Sequence, residues 1–330
     1  MYIEEKLKAL VRVSLGLIIG FSIAIALGAL SPIGLIGIIN AIAWVYTNPA
    51  PLLLSLTILG PIASSAVGLT LAYRARFITV GAEGQVLLGA AITLWFLAYS
   101  GLDLDPFAAI PASMLLAGLS AMLLGAIPAV LRIYFNANEI LISLMLNYIV
   151  LYMINHIVSG PWRVGAFAIT RSIDTKYRVG AEVILALSIF ISLICWIIFS
   201  RTKLGLMIEV YGRAPKAAET YGLDPRVIIY LTAIISSLVA GIGGSLMMLG
   251  FQYSLSPMSV TPGYGYMGVL AAWFSGNNPI VALIASWFFS SIFVLGRSLQ
   301  ASGLPIGYVL AIQSIIVLSV LASKRIFLRR

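Results

Sequence analysis

The chain has 330 residues, of which 61% are apolar and only 9% are charged, and its formal net charge is +9. A soluble domain carries about 25% charged residues, so this chain cannot cover a surface that faces water, and lipid is its solvent. Its basic residues stand at the ends of apolar runs, where they act as topology signals, and we expect no nucleic-acid partner.

The apolar runs predict about ten membrane-spanning helices, because a helix that crosses a bilayer needs about 20 mostly apolar residues. The predicted spans are 10–30, 51–73, 82–100, 107–131, 139–159, 181–200, 227–250, 263–276, 279–297 and 305–323. The eighth is short and fits a re-entrant or broken helix, and residues 33–47 fit an interfacial or partial helix. The predicted fold class is therefore all-α, a single polytopic membrane domain over residues 1–330.

The basic residues orient these helices. With the N-terminus in the cytoplasm, 15 of the 20 Lys and Arg residues lie inside, and 5 lie outside: Arg163, Arg171, Lys176, Arg178 and Arg297. This excess agrees with the positive-inside rule. We expect both termini and the polar segment 203–226 in the cytoplasm, and the longest external loop at 160–180.

Two of the predicted spans begin with related Gly-rich segments. Gly81-Ala-Glu-Gly84-Gln opens the third span, and Gly263-Tyr-Gly265-Tyr-Met opens the eighth. The two spans run in opposite directions in the predicted topology, which favours an inverted-topology repeat with the substrate path at the repeat interface. The alternative is a chance likeness between two Gly-rich segments.

Few polar side chains lie at membrane depth, and each has two interpretations. Glu83 and Gln85 could line a polar passage, or Glu83 could complement the helix dipole from the first turn. The same choice applies to Asn138 and Glu139, with Asn138 as an N-cap. Asn147 could face a pore or bond a neighbouring helix.

Several chemical signals are missing from the sequence. The single histidine has no Cys, Asp or Glu at ligand spacing, so no metal site is expected. The sequence has no G-x-x-x-x-G-K-[ST] motif, so the chain does not bind ATP in that way. We expect neither catalytic residues nor a cofactor on this chain. Ser236-xxx-Ala240-xxx-Gly244 predicts a closely packed helix.

Five segments carry a family resemblance. They are residues 73–85 (Tyr73-Arg-Ala-Arg-Phe-Ile-Thr-Val-Gly-Ala-Glu-Gly-Gln85), 138–149, 205–222, 263–266 and 276–279. They resemble the signatures F-R-A-G-x-F-N-I-G-A-E-G-Q, N-E-V-x-x-x-x-M-L-N-Y-I, G-x-x-x-R-A-V-G-x-N-P-x-A-A-x-x-x-G-I, G-Y-G-F-D-G and G-R-N-H-P. These are signatures of ABC-transporter permeases for nucleosides and simple sugars, in the branched-chain amino acid and ribose permease superfamily. The segments occur in the family's order and span residues 73–279, so the resemblance extends over most of the chain.

The sequence also departs from the family pattern. Thr79 stands where Asn is usual, Met267 where Asp is usual, and Glu209 where Arg is usual. Ala214 replaces the Asn that precedes the proline. The missing Asp lies where a translocation segment begins, which leaves the substrate class open.

The resemblance implies a plasma-membrane permease subunit of an ABC importer that translocates a nucleoside or a simple sugar. Its partners would be a cytoplasmic ATPase that holds ATP and magnesium, an extracellular substrate-binding protein, and a second permease. That permease is expected to be a related but distinct chain, with a homodimer as the alternative. The candidates for the translocation path then include Tyr264 and Tyr266 beside the polar residues above.

The segment 203–226 is the candidate for coupling to the ATPase. Pro215 suits the first turn of a short helix, and Gly222 suits its end. Such a helix could act as a lever in a groove of the ATPase; the coupling residues are Gly212, Arg213, Pro215, Ala217, Ala218 and Gly222. The alternative is an ordinary cytoplasmic loop. Two other functions stay open: an ion- or proton-coupled secondary transporter of a small polar solute, and a membrane scaffold that transports nothing.

Overall fold

The structure is a computed structural model that describes residues 34–257 and 263–327. The predicted span 10–30 lies outside the described residues, as do residues 258–262 before the eighth predicted span. The described residues form helices, as the composition predicts. In chain order these are α1 (Gly34–Thr47), α2 (Pro49–Arg74), α3 (Ala82–Ala98), α4 (Pro106–Phe135), α5 (Glu139–Ser159), α6 (Ala181–Arg201), α7 (Lys203–Arg213), α8 (Pro215–Thr220), α9 (Pro225–Gly250), α10 (Tyr264–Phe274), α11 (Pro279–Ala301) and α12 (Ile306–Phe327).

Six helices of the described part are long and apolar enough to cross a membrane: α2, α4, α5, α6, α9 and α11. At about 1.5 Å per residue, α3 is about 26 Å long and α10 about 16 Å, which is less than the roughly 30 Å of a hydrocarbon core. In α12 the apolar stretch covers Ile306–Ser319. The count of ten spans and the cytoplasmic termini therefore stay predictions.

Side-chain caps explain where several helices begin. The Asn138 side chain accepts hydrogen bonds from the amides at the start of α5, at 3.0 Å from Ile140 N, as the sequence predicts for an N-cap. Asp105 caps α4 and Asp224 caps α9, each directly before a proline at the first helical position. Because a cap is a local signal, it can be recognised in the sequence, and α5 begins at the predicted residue, Glu139.

The described residues divide into two compact units. One unit contains residues 34–55 and 290–327. Inside it, Gln313 Nε2 donates to Ile292 O at 3.0 Å, and a Cβ on Gly296 would lie 2.1 Å from the same amide nitrogen. The other unit contains residues 56–257 and 263–289. The prediction of a single domain over the whole chain stays a prediction.

The larger unit is built around α9, which packs against α3 and α4. A Cβ on Gly89 of α3 would lie 2.2 Å from Gly241 O, and a Cβ on Gly244 would lie 2.1 Å from Val86 O. Only glycine allows the two backbones to approach so closely. The close packing predicted from the spacing of Ser236, Ala240 and Gly244 is confirmed.

The N-terminal turns of α3 and α10 touch, because a Cβ on Gly265 would lie 2.3 Å from Glu83 N. From this contact the helices run to opposite ends of the unit. The end of α3 reaches Tyr99, whose hydroxyl donates to Trp162 O, whereas α10 leads to Asn277, whose carbonyl accepts from Arg74. The opposite directions agree with the proposed inverted pair, although the repeat itself stays a prediction.

Candidate functional site

Glu83 is buried in the first turn of α3, and its carboxyl group caps α10. Oε1 accepts from Gly263 N at 3.1 Å, and Oε2 accepts from Gly265 N at 2.8 Å and from Tyr266 N at 3.4 Å. Gly263, the N-cap of α10, has no side chain that could accept these bonds. The carboxyl group of one helix therefore supplies the cap that the other helix lacks.

Asn147 of α5 ties the same two helices together. Its Nδ2 donates to Val80 O at 2.9 Å and to the Tyr266 hydroxyl at 3.2 Å, and its Oδ1 accepts from Gly84 N at 2.9 Å. The amide therefore bonds to backbone on both sides of the start of α3. We name the N-terminal turns of α3 and α10, together with Asn147, the junction.

The side chain of Gln85 points out of the junction, toward α9 and α4. Its Nε2 donates to the Ser237 hydroxyl of α9 at 2.9 Å, and a Cβ on Gly125 of α4 would lie 3.1 Å from the same nitrogen. Its Oε1 is buried and has no hydrogen-bond partner among the described residues. Glu83 and Gln85, which one of the two interpretations assigned to a single polar passage, thus point to different neighbours in this conformation.

The two tyrosines of the junction differ in exposure. Tyr264 is buried at 1% exposed and packs edge-on against Phe251, with 5.7 Å between the ring centroids. Tyr266 is 37% exposed while its hydroxyl accepts from Asn147. Tyr266 is therefore the most exposed of the candidate residues in the junction.

Asn138 and Glu139 lie apart from the junction, at the turn between α4 and α5. Glu139 pairs with Arg132 and accepts from Ile78 N at 3.4 Å. Along α5, Glu139 and Asn147 are separated by eight residues, or about 12 Å at 1.5 Å per residue. The structure therefore places these two candidates at one end of the unit and not beside the other candidates.

The segment 203–226 folds into the two short helices α7 and α8. Glu209 and Arg213 form an ion pair one turn apart on α7, so the unusual Glu209 has a partner on its own helix. Most of α8 is exposed, including Lys216 and Ala217, and Tyr221 beyond it is 86% exposed. An exposed surface of this kind is available to a partner protein.

Two residues of this segment have internal roles. Ala218 is fully buried, so it packs α8 against the chain and offers no surface to a partner. Gly222 has a φ of 84° and ends α8, because Gly222 N donates to Glu219 O and Leu223 N to Ala218 O, both at 3.0 Å. This pair of bonds is a Schellman motif, as the predicted helix end requires. Ala218 stays a predicted coupling residue, and its burial means that it would act by packing α8 and not by direct contact with the ATPase.

A turn after α2 connects the segment to the rest of the unit. Arg76 Nε donates to Gly212 O at 2.8 Å, and Arg132 donates to Arg76 O at 2.8 Å. Arg74 Nε donates to Asn277 O at 2.7 Å. None of these three arginines was predicted as a site residue, because their partners are distant in the sequence.

The loop predicted to be external is folded against the segment that leads to α10. Backbone amides of this loop donate to carbonyls of residues 249–255, among them Thr170 N to Leu255 O at 3.0 Å and Ile173 N to Tyr253 O at 2.8 Å. A hydrogen bond from the Lys176 ammonium, together with its charge, lowers the pKa of the Asp103 carboxyl. The loop is therefore an ordered surface at the end of the unit opposite Arg74.

The pairing of Glu83 with α10 was missed at the sequence level. Two signals could have indicated it. The N-cap of α10 is Gly263, which has no side chain to accept a hydrogen bond, and the related Gly-rich segment at the start of α3 carries the buried Glu83. In residues 34–257 and 263–327, no group of three His, Cys, Asp or Glu side chains could hold a metal ion.

Known proteins resemble this chain over most of its length. The family described as branched-chain amino acid transport system / permease component matches residues 51–321. The nucleoside ABC transporter permease protein NupB of Lactococcus lactis is 25% identical over 268 residues, which cover 76% of this chain and 73% of that protein. The guanosine ABC transporter permease protein NupP of Bacillus subtilis is 26% identical over 281 residues, which cover 81% of this chain and 79% of that protein.

Two further similarities extend this set. The glucose ABC transporter permease protein TsgB13 of Haloferax volcanii is 24% identical over 286 residues, which cover 80% of this chain and 74% of that protein. Among solved structures, PsaBC from Streptococcus pneumoniae in complex with Fab is 18% identical, with a TM-score of 0.44 over 88% of this chain and 94% of that chain.

Proposed function

This chain belongs to the family of branched-chain amino acid transport system permease components, and we propose that it forms the translocation path for a nucleoside in an ATP-driven importer. As an ABC-transporter permease it is a transport component and not an enzyme. It is a multi-pass protein of the cell membrane. We propose an identity for the solute, a path for its translocation and a segment that couples the chain to an ATPase.

The observation that carries the proposed path is the junction. The helices α3 and α10 are both shorter than the roughly 30 Å of a hydrocarbon core, and their N-terminal turns meet through Glu83. Transporters bind solutes near the membrane midplane where discontinuous helices meet. The partly exposed Tyr266 supplies a hydroxyl group for a polar solute, and the buried Asn147 amide holds that hydroxyl in place.

The chemistry of the junction favours an uncharged solute. Its carboxyl group is occupied by three backbone amides, and the described residues of the junction include no Lys or Arg. An ionic solute would enter without a partner of opposite charge, which is costly away from water. Nucleosides and sugars are both uncharged. The nucleoside is our first choice, because NupB and NupP are named for nucleoside and guanosine transport, and the sugar is second, after TsgB13.

We place the ATPase contact on the segment 203–226, with this segment and both termini in the cytoplasm. The exposed side of α8 and the end of α7 would bear on a groove of the ATPase, which would hold ATP and magnesium. A second permease and an extracellular substrate-binding protein would complete the importer. The ordered loop 160–180 is the proposed surface toward the extracellular side.

Uptake in cells that lack their own nucleoside transporters tests the transport proposal. The complete importer should accumulate tritiated guanosine, and a hydrolysis-deficient ATPase subunit should abolish the accumulation. Excess unlabelled guanosine should compete, whereas excess glucose should not. Uptake that survives the deficient ATPase but collapses with a protonophore would instead support the secondary transporter.

A matched pair of variants at one exposed position tests the coupling proposal. Ala217→Trp places a bulky side chain on the exposed side of α8 and should weaken copurification of the ATPase, whereas Ala217→Ser should not. Both variants should insert and fold normally, because the position is exposed. Equal recovery of the ATPase with both variants would refute a contact at α8.

A further inference from the structure

Residues 75–81, which we name the link, join α2 to α3 without helical structure between the turn at Arg76 and Gly81. The far end of the link is fastened to α5. Val80 N donates to the Ser143 hydroxyl at 3.1 Å, and Val80 O accepts from Asn147 at 2.9 Å. The link therefore ends on a residue of the junction.

The near end of the link lies against α7. A Cβ on Gly212 would lie 2.0 Å from Arg74 O, so the two backbones are in direct contact. Arg76 holds this contact with the bond from its Nε to Gly212 O. Arg76 has a φ of 56°, a left-handed conformation that is unusual for a residue other than glycine.

The same turn also holds the far end of α10. Arg74 Nε donates to Asn277 O, and the Arg74 guanidinium lies over the Phe199 ring of α6 at 3.4 Å from its centroid. Helix α10 is thus bonded at its start to Glu83 and just past its end to Arg74. The turn is therefore bonded to Gly212 of α7 and to Asn277 just past α10, and the link continues from it to the start of α3.

We propose that the link and its Arg74–Arg76 turn transmit movement of the segment 203–226 to the junction, with Arg76 as a positioning residue. This inference rests on the proposed function, since it supposes that an ATPase moves the segment. Its physical basis is a short stretch of chain bonded at one end to α7 and at the other to Asn147. The link has few residues that could absorb the movement.

Arg76→Gly tests the inference with little risk to folding, because glycine adopts a φ of 56° without strain while the bond to Gly212 is lost. The assay is the ratio of tritiated guanosine taken up to ATP hydrolysed by the complete importer in proteoliposomes. The ratio should fall about two- to thirtyfold, the range expected for variants of a coupling path. ATPase copurification and hydrolysis should persist.

Three further variants make the test specific. Arg76→Lys keeps a cationic donor at the position and should restore part of the ratio. Arg201→Gln removes an exposed arginine at the end of α6 and should leave the ratio unchanged. Gly212→Ala forces the same contact apart and should lower the ratio. The double variant with Arg76→Gly should have a ratio only slightly below that of either single variant, because both changes break the same contact between the turn and α7.

Failure of the link to transmit movement and failure of the proposed function give different results. A wild-type ratio in Arg76→Gly, in an importer that Ala217→Trp does disable, would overturn the inference and leave the proposed function standing. Failure of the unmodified chain to copurify with an ATPase or to take up guanosine would overturn the proposed function and the inference together.

Discussion

Replacement of Glu83 is the sharpest test of the junction. Glu83→Ala removes the acceptor of two good hydrogen bonds, at 2.8 and 3.1 Å, and of a weaker one at 3.4 Å. A buried donor that is left unpaired costs about 1–3 kcal/mol, so the two good bonds predict a loss of about 2–6 kcal/mol in stability. Glu83→Gln keeps one acceptor oxygen and should lose about half of that.

The assay is thermal unfolding of the detergent-solubilised chain, followed by fluorescence-detected size-exclusion chromatography. The midpoints should fall in the order wild type, Glu83→Gln, Glu83→Ala. Glu182→Ala is the matched control, because Glu182, like Glu83, lies in the first turn of an apolar helix but is exposed. Glu182→Ala should lose less than about 1 kcal/mol of stability, the usual size of a helix-dipole contribution at an exposed site.

The result that refutes this reasoning is a Glu83→Ala midpoint equal to that of Glu182→Ala. Such a result would mean that the α10 amides find other partners and that Glu83 is not a cap. If guanosine uptake then fell while the midpoint stayed constant, Glu83 would be a solute contact, as the polar-passage interpretation holds.

Three further changes test the packing and the segment. Gly244→Leu should cost about 1–3 kcal/mol or more, since even a Cβ would lie 2.1 Å from a backbone oxygen of α3; an unchanged thermal midpoint would contradict this packing. Asn147→Leu leaves two buried backbone groups unpaired, at about 1–3 kcal/mol each, whereas Asn155→Leu, which removes an unpaired buried oxygen, should be neutral or stabilising in the same assay. Gly222→Val should cost about 1–2 kcal/mol at the end of α8, seen as faster proteolysis of the segment, and equal proteolysis would contradict the left-handed helix end.

Local features of the sequence predicted much of the fold. The predicted span 139–159 has the bounds of α5, and the span 181–200 differs from α6 by one residue. The apolar length of a span and the residues that cap it belong to one continuous stretch of sequence. Both can therefore be recognised without knowing which helices pack together. The predicted helix end at Gly222 is confirmed for the same reason.

The candidate site was predicted in pieces. Glu83, Asn147, Tyr264 and Tyr266 were named, and the structure brings them together. Their arrangement could not be predicted, because Glu83 and Gly265 are 182 residues apart in the sequence. Composition and spacing say nothing about which distant helix supplies a cap.

The sequence by itself determined that this is an all-helical membrane protein, because a chain with so few charged residues cannot face water, and its ordered motifs determined the family. Only the tertiary structure decided that Glu83 caps α10, that Gln85 faces α9 and that Ala218 lies on the buried side of α8. The physical reason is that the orientation of a buried polar group depends on the unpaired donors and acceptors around it. Those partners are brought near only when the helices pack.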